Sequence, residues 1–171
     1  VLERAWQSIR LVRRWLPDRE LVFVADSSFA ALEWLALVAR LPRVSVITRL
    51  RLDAALSDPP PPRAPGQRGR PRRKGKRRPT LEAVLADEQT QGSTLTVEDW
   101  YGEGPREVDV ATDTAVWYHT GKPPVALRWV LIRDPQERFK PPALWSTNLE
   151  YGCAQMLTWF VRCWTMAVTF E

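Results

Sequence analysis

Histidine and cysteine are scarce in this sequence of 171 residues, which contains one His and two Cys. A zinc site built on histidines, or a Ser/His/Asp triad around His119, therefore lacks the necessary side chains. The sequence also has no CxxC pair and no glycine-rich phosphate loop. His119 follows a predicted strand at the start of a Gly/Pro turn, which is typical of an ordinary loop residue. Histidine- and thiol-based chemistry thus finds no support.

Long apolar runs are absent as well. No stretch approaches the ~20 apolar residues that span a bilayer, since Glu33 interrupts the best candidate, and the opening Val1-Leu2-Glu3-Arg4 is not a signal peptide. Cys153 and Cys163 fall in one predicted helix, roughly 15 Å apart along its axis, so they cannot bridge each other. Two unpaired thiols favour a reducing compartment. We therefore expect a soluble, cytoplasmic protein that has no membrane partner and no small-molecule cofactor.

Acidic residues are missing from one segment. Between Arg63 and Arg78 there are nine Lys or Arg and no Asp or Glu. The whole chain has a formal net charge of +5, and outside this segment 16 bases face 20 acids, a balance of −4. The basic character therefore belongs to one segment. It predicts local contact with a polyanion, for which nucleic acid is the first candidate.

One stretch predicts the centre of the fold. Residues 21–25 form a short apolar run, typical of a buried strand, that delivers Asp26 to its carboxyl end. A helix-forming run from Phe29 to Leu41 follows, and then a second apolar strand, Val44 to Thr48. A helix between two such strands predicts a right-handed βαβ unit with a parallel sheet. Asp26 then lies where open α/β sheets bind ligands, although an Asp there is equally typical of a helix N-cap.

The rest of the pattern predicts a helix at each end and a β-rich segment between them. Apolar residues at helical spacing predict an amphipathic helix that ends at Pro17 and a second helix from Gln155 to Glu171. Four consecutive prolines and the basic segment up to Pro79 predict an extended or disordered loop. Five further strands are expected at Thr94 to Val97, Arg106 to Val110, Ala115 to His119, Leu127 to Ile132 and Ala143 to Thr147.

The nine tryptophans fall mostly at periodic positions, which indicates core packing. Trp100-Tyr101, beside the turn Gly102-Glu103-Gly104-Pro105, is the exception. We interpret this pair as packing the turn, with a base-stacking platform as the alternative.

Arg68-Gly69-Arg70-Pro71, followed by Arg72-Arg73-Lys74, resembles the core of an AT-hook. In that motif a backbone constrained by Pro and Gly lays arginines along a narrow minor groove. A solvated cationic loop that is indifferent to sequence is the alternative. Both interpretations favour DNA or RNA as the partner and predict salt-dependent binding. The expected contacts are Arg68, Arg70, Arg72, Arg73, Lys74, Lys76, Arg77 and Arg78.

Several segments together carry a family resemblance. They are Arg14-Trp15-Leu16-Pro17, Val22 to Phe29, Gly69-Arg70-Pro71-Arg72 with Lys74-Gly75-Lys76, Ala115-Val116-Trp117-Tyr118, Arg128-Trp129-Val130-Leu131, and Trp159-Phe160-Val161-Arg162 with Trp164. They resemble the DDE transposases of bacterial insertion sequences. The branch concerned has a large β insertion before the catalytic Glu and a Tyr/Arg/Glu/Lys signature on its last helix.

The resemblance implies a partial ribonuclease-H-like α/β fold with an inserted antiparallel β subdomain. Residues 1–50 and 143–171 would build the core, 51–80 the basic loop and 81–142 the β-rich insertion. The implied partners are DNA and a full-length transposase or a second copy of the chain. The implied location is the bacterial nucleoid.

The resemblance also implies two-metal phosphoryl transfer. Two Asp and one Glu hold paired Mg²⁺ ions, which activate water to nick DNA and then the new 3′-hydroxyl for strand transfer. Asp26 falls on the second catalytic Asp and is the expected metal ligand. Arg162 is the expected DNA contact on the last helix.

The remaining catalytic positions depart from the family pattern. The strand with the first Asp is expected before the opening helix, so this sequence begins too late to contain it. Alignment on Trp164 puts Phe160, Cys163 and Ala167 at the Tyr, Arg and Glu positions of the signature. Glu171, one turn beyond Ala167, is a weak substitute, and the sequence stops before the Lys. We therefore expect a truncated fragment that does not cleave DNA alone, with an exposed sheet edge.

Three functions remain open from the sequence. The first is a transposase fragment whose residual activity is DNA binding through the basic loop. The second is a non-catalytic binding protein or regulator that occupies DNA or pairs with full-length transposase. The third is a decayed reading frame without a selected function.

Overall fold

The computed structural model describes residues 1–63, 65–66, 68–87, 89–90 and 92–168, and within them the side chains up to Cys163. These residues form one seven-stranded sheet and four α-helices. The strands are β1 (Leu21–Val24), β2 (Val44–Leu50), β3 (Leu56–Ser57), β4 (Ser93–Val97), β5 (Arg106–Trp117), β6 (Val125–Arg133) and β7 (Ala143–Ser146). The helices are α1 (Leu2–Trp15), α2 (Leu32–Val38), α3 (Leu81–Ala86) and α4 (Cys153–Val168).

The strand order is β1-β2-β7-β6-β5-β3, and β4 pairs with β5 outside this path. β1 and β2 are parallel, with Leu21 opposite Val44 and Val24 opposite Ile47. The other strand pairs are antiparallel. The predicted parallel βαβ unit is therefore confirmed. β1 lies at one end of the strand order, which leaves it at an edge of the sheet.

The crossover helix is shorter than the predicted run from Phe29 to Leu41. Asp26 first caps a short 3₁₀ turn, Ser27–Phe29, and Ala31 is then extended at φ −113° and ψ 118°. Because this backbone is not helical, α2 begins only at Leu32.

Two apolar cores lie on opposite faces of the sheet, as the alternation of strand side chains requires. One contains Val46 and Trp145 together with residues of α1, α2 and α3. The other contains Ile47 and Leu144 together with α4 and Trp100. Neighbouring residues of β2 and β7 thus point into different cores.

The β-rich segment is antiparallel, as predicted, but two of its expected strands are one. Residues 106–110 and 115–117 both belong to β5, which pairs without interruption along β6. His119 lies beyond the strand, exposed in the following turn. β6 also pairs with β7, and β7 pairs with β2, so this segment continues the sheet of the βαβ unit. The division of the chain at residues 50, 80 and 142 stays a prediction.

The final helix begins at Cys153, two residues earlier than predicted, and is described as far as Val168. Residues 169–171, including Glu171, lie outside the described part. α4 packs against β1 and β2. Cys153 and Cys163 are both free. None of the described helices combines the length and the apolar character that a membrane span needs.

Candidate active-site edge and nucleic-acid interface

Asp26 stands at the carboxyl end of β1, where the sequence predicts it. Its backbone is extended, and its carboxylate accepts a hydrogen bond from the Ser28 N–H at 2.7 Å. Its carbonyl oxygen accepts a hydrogen bond from Thr48 Oγ1 at 2.5 Å, which ties the ends of β1 and β2 together. The residue is exposed. Asp26 is therefore a cap and also a carboxylate that a ligand can reach.

Hydrogen bonding from Ser28 lowers the pKa of the Asp26 carboxyl below its ordinary value of 3.8, although slight desolvation opposes this. The charged carboxylate is thus favoured in the folded chain. Its contribution to stability is present above the unfolded pKa, ~3.9, and is lost as the pH falls through the lower folded pKa.

Asp26→Ala is expected to lower the free energy of unfolding at pH 7 by about 1 kcal/mol, because it removes the cap. Asp26→Asn is the matched control, since its amide oxygen still accepts from Ser28 while the charge is gone. Urea unfolding at pH 7 and at pH 2.5 measures both variants. Equal stability of Asp26→Ala and wild type at pH 7 would show that the capping bond contributes nothing.

The last helix leads towards the edge at which Asp26 lies. Just before α4, the Tyr151 hydroxyl is 2.6 Å from Glu20 Oε1 and 3.2 Å from Ser45 Oγ, near the amino ends of β1 and β2. Phe160 follows Tyr151 by nine residues. Its ring centroid lies 5.4 Å from Cζ of Arg49, which is near the carboxyl end of β2. Nine helical residues and four strand residues each span roughly 13 Å. The part of α4 beyond Phe160 therefore reaches the Asp26 edge.

The signature positions on α4 do not supply oxygen ligands among the described side chains. Phe160 is buried, whereas Arg162 and Cys163 are exposed. The side chain of Ala167 lies outside the described ones. Within the part of the chain that the structure describes, no three His, Cys, Asp or Glu side chains gather in a way that could hold a metal ion. These residues therefore do not fit a paired Mg²⁺ site.

The basic segment is anchored at its base by a two-stranded stem. Ser57 and Arg77 form an antiparallel bridge. The Asp58 N–H donates to the Lys76 carbonyl, and the Gly75 N–H donates to the Asp58 carbonyl, both at 2.8 Å. A Cβ at Gly75 would approach the Pro59 carbonyl oxygen to 2.5 Å, so this close pairing needs glycine. The stem fixes where the loop leaves the sheet.

Arg78 holds this stem against the sheet. Its guanidinium pairs with Asp58 at 2.6 Å and with Asp113 of β5 at 2.7 Å, and its side chain is 25% exposed. The sequence predicts Arg78 as a DNA contact. In the structure, Arg78 instead forms ion pairs with two carboxylates. One of them, Asp113, comes from a distant part of the chain.

The outer cations of the basic loop face solvent. The exposed ones are Arg68, Arg70, Arg72, Arg73, Lys76 and Arg77. Lys74 is half-buried, with its ammonium 5.3 Å from the ring centroid of Tyr118, and Arg73 donates to the Lys122 carbonyl at 3.5 Å. Residues 70–74 and the β5–β6 turn line an open cleft of about 660 Å³. The loop thus rests on that turn and presents cations around the cleft.

The basic loop and Asp26 leave the sheet at opposite edges, since β3 and β1 end the strand order. They are nevertheless connected, because Lys122 beneath Arg73 forms an ion pair with Glu33 of α2. Glu33 follows Asp26 by seven residues, so their Cα atoms are at most about 25 Å apart.

Trp100 is buried in the core under α4 and does not present an open ring face. Its indole stacks on Phe139, with centroids 5.0 Å apart and planes at 19°, and meets Tyr101 edge-on at 5.3 Å. The interpretation of this pair as turn packing is confirmed.

A mixed sheet with a parallel βαβ unit, a carboxylate at the end of its first strand and helices on both faces is the architecture of a ribonuclease-H-like α/β domain. The sequence profile of DDE superfamily endonucleases matches residues 3–124, more than half of the chain. The chain belongs to this family of transposase-like nucleases, whose substrate is DNA and whose members generally use divalent metal ions. No curated protein and no solved structure matches it.

The match confirms the family that the sequence motifs indicate. It ends at residue 124, before β6, β7 and α4. The branch with a β insertion and a Tyr/Arg/Glu/Lys signature therefore stays a prediction, as do the roles of Asp26 and the signature positions.

Proposed function

We propose that this chain is part of a DDE transposase domain that holds DNA through the basic loop and does not cleave it alone. The observation that carries the proposal is the anchored loop. Its stem and the Arg78 ion pairs fix its base, while seven exposed cations lie in the segment from residue 63 to 78, which contains no acid. Fixed positive charge of this kind suits the phosphates of DNA, the substrate of the family.

The absence of cleavage follows from the ligand set. A two-metal reaction needs several hard oxygen ligands, because Mg²⁺ keeps near-octahedral coordination by carboxylates, phosphates and water. Asp26 offers one carboxylate at the right edge of the sheet. Phe160 and Cys163 offer none at the described signature positions, so Asp26 would hold a metal ion only together with oxygen ligands from elsewhere.

The purified chain is expected to retain duplex DNA at ~0.15 M salt and to leave supercoiled plasmid intact in the presence of Mg²⁺. Gel analysis of the plasmid beside the Asp26→Ala and Asp26→Asn variants is the measurement. Nicking that is equal in all three proteins identifies a contaminant. Mg²⁺-dependent nicking by the wild type that both substitutions abolish would overturn the proposal.

The second candidate is a non-catalytic regulator that pairs with intact transposase, and the free edge of β1 favours it. In the described residues β1 pairs with β2 alone, and its four apolar residues are only half-buried. An open edge of this kind can pair with another strand. Co-sedimentation of the chain with an intact transposase, without plasmid cleavage, would support this role. A folded chain that binds neither DNA nor transposase would favour the decayed reading frame.

A further inference from the structure

A second cationic cleft, separate from the basic loop, opens at the carboxyl end of β2. Its volume is about 630 Å³, and it is bordered by the turn after β4, the start of β5, the β6–β7 connection and the end of β2. Its charged lining residues are Arg49, Arg106, Arg138, Lys140 and Glu103.

Two of these cations are held in place by acids. Arg138 Nε lies 2.9 Å from Oδ2 of the buried Asp134, which also accepts from the Gln136 and Arg138 N–H groups. Hydrogen bonding from Arg138 lowers the pKa of Asp134 to about 2. Arg106 pairs with Glu103 at 2.5 Å and lies over the Trp100 ring. These pairs fix the guanidinium positions.

The other two cations are exposed and have no carboxylate partner in the described part of the chain. Arg49 lies over the ring of Phe160, and Lys140 stands on the β6–β7 connection. Four cations therefore face two acids, Glu103 and Asp134, and the cleft keeps a local excess of two positive charges. Such an excess around an open cleft favours an anionic ligand.

The cleft shares the edge of Asp26. Arg49 follows Thr48, whose hydroxyl bonds the Asp26 carbonyl, and its side chain lies on the α4 face with Phe160. The basic loop instead contacts the β5–β6 turn. Lys122 of this turn forms an ion pair with Glu33 of α2, which lies on the opposite face of the sheet. The two cationic surfaces can therefore be altered independently.

We propose that this cleft binds backbone phosphates of the DNA strand that passes the Asp26 edge. The proposal rests on the proposed function, since it takes DNA as the substrate. Trp100 does not offer a base-stacking platform here, because it is buried against Phe139 and has no face open for stacking. Arg49 and Lys140 supply the uncompensated charge for phosphate oxygens. Arg106 and Arg138 already bind Glu103 and Asp134, so each contributes only its remaining guanidinium N–H groups.

The test compares Arg49→Gln/Lys140→Gln with Arg4→Gln/Arg40→Gln in the full chain. Both pairs remove two exposed cations, but Arg4 and Arg40 lie outside both cationic surfaces. Binding of a 30-base-pair duplex is measured across a salt series. Each lost phosphate contact lowers the slope of log K against log salt by about 0.9, so we expect a loss of 1 to 2 in slope and about tenfold in affinity. Lys140→Glu alone, on an exposed connection, should weaken binding similarly.

Each outcome is decisive because the basic loop is measured in parallel. If Arg49→Gln/Lys140→Gln binds with the slope of the control pair, the cleft proposal is overturned, while loop variants still test the proposed function. Inorganic pyrophosphate at matched ionic strength is the competing ligand. Retained DNA binding in its presence supports the backbone assignment. Micromolar binding of pyrophosphate that Arg49→Gln/Lys140→Gln abolishes, while DNA binding stays that of the control pair, would assign the cleft to free phosphate and overturn the proposal.

Discussion

Replacing six cations of the basic loop with glutamine is expected to weaken DNA binding by at least about 10³-fold at 0.1 M salt. The substituted residues are Arg68, Arg70, Arg72, Arg73, Lys74 and Lys76. Arg78 is left unchanged because its ion pairs with Asp58 and Asp113 hold the stem. Six lost phosphate contacts should lower the salt slope by about 5. Fluorescence anisotropy with labelled duplex across a salt series measures both quantities.

A charge-preserving variant separates the two interpretations of the loop. Arg68→Lys/Arg70→Lys/Arg72→Lys keeps every positive charge, so the salt slope should not change. An AT-hook depends on arginine in the narrow minor groove, and its preference for AT-rich duplex should then disappear. A cationic loop that is indifferent to sequence shows no such preference in either protein. Unchanged DNA binding by the glutamine variant would show that the basic loop does not contribute to DNA binding.

The sequence predicts the βαβ unit well because its signals are local. Two apolar β-branched runs and the helix between them lie within 30 residues, and their periodicities alone define the unit. The position of Asp26 follows from the end of the first run. The length of α2 cannot be predicted from the sequence in this way. The Asp26–Ser28 hydrogen bond stabilises a 3₁₀ turn before the helix, and α2 is shorter as a result.

The sequence fails where pairing partners are distant. β3 has two residues and is a strand only through its pairing with Val116 and Trp117. Thr112 to Thr114 looks like a break between two strands, yet pairing with β6 carries β5 through it. Arg78 looks like another free cation, and only the fold brings Asp113 to it.

The candidate site, too, is predictable from the sequence only in part. Family motifs place Asp26 and the signature positions along the sequence, but the direction of α4 depends on Tyr151 and Phe160 touching opposite ends of β2. The second cationic cleft has no sequence signal, because Arg49, Arg106, Arg138 and Lys140 come from three separate segments. Each looks like an ordinary surface charge until the strands align them.

The alignment of these segments depends on β7, which lies between β2 and β6. β1 and β2 carry Asp26 and Arg49, whereas β5 and β6 carry Arg106 and the base of the basic loop. Trp145 is the largest fully buried side chain of β7 and meets Trp117 of β5 at 6.1 Å between ring centroids. It therefore packs the two halves of the sheet together.

Trp145→Ala is expected to lower the free energy of unfolding by about 3–5 kcal/mol, because it leaves a cavity at this junction. A typical domain has about 5–15 kcal/mol in total, so the loss threatens the fold itself. Trp145→Phe is the control: it keeps the ring and removes an indole N–H that has no hydrogen-bond partner among the described residues, so it should cost clearly less. Urea unfolding of the three proteins measures the difference. A value for Trp145→Ala within about 1 kcal/mol of wild type would mean that Trp145 does not hold the two halves of the sheet together.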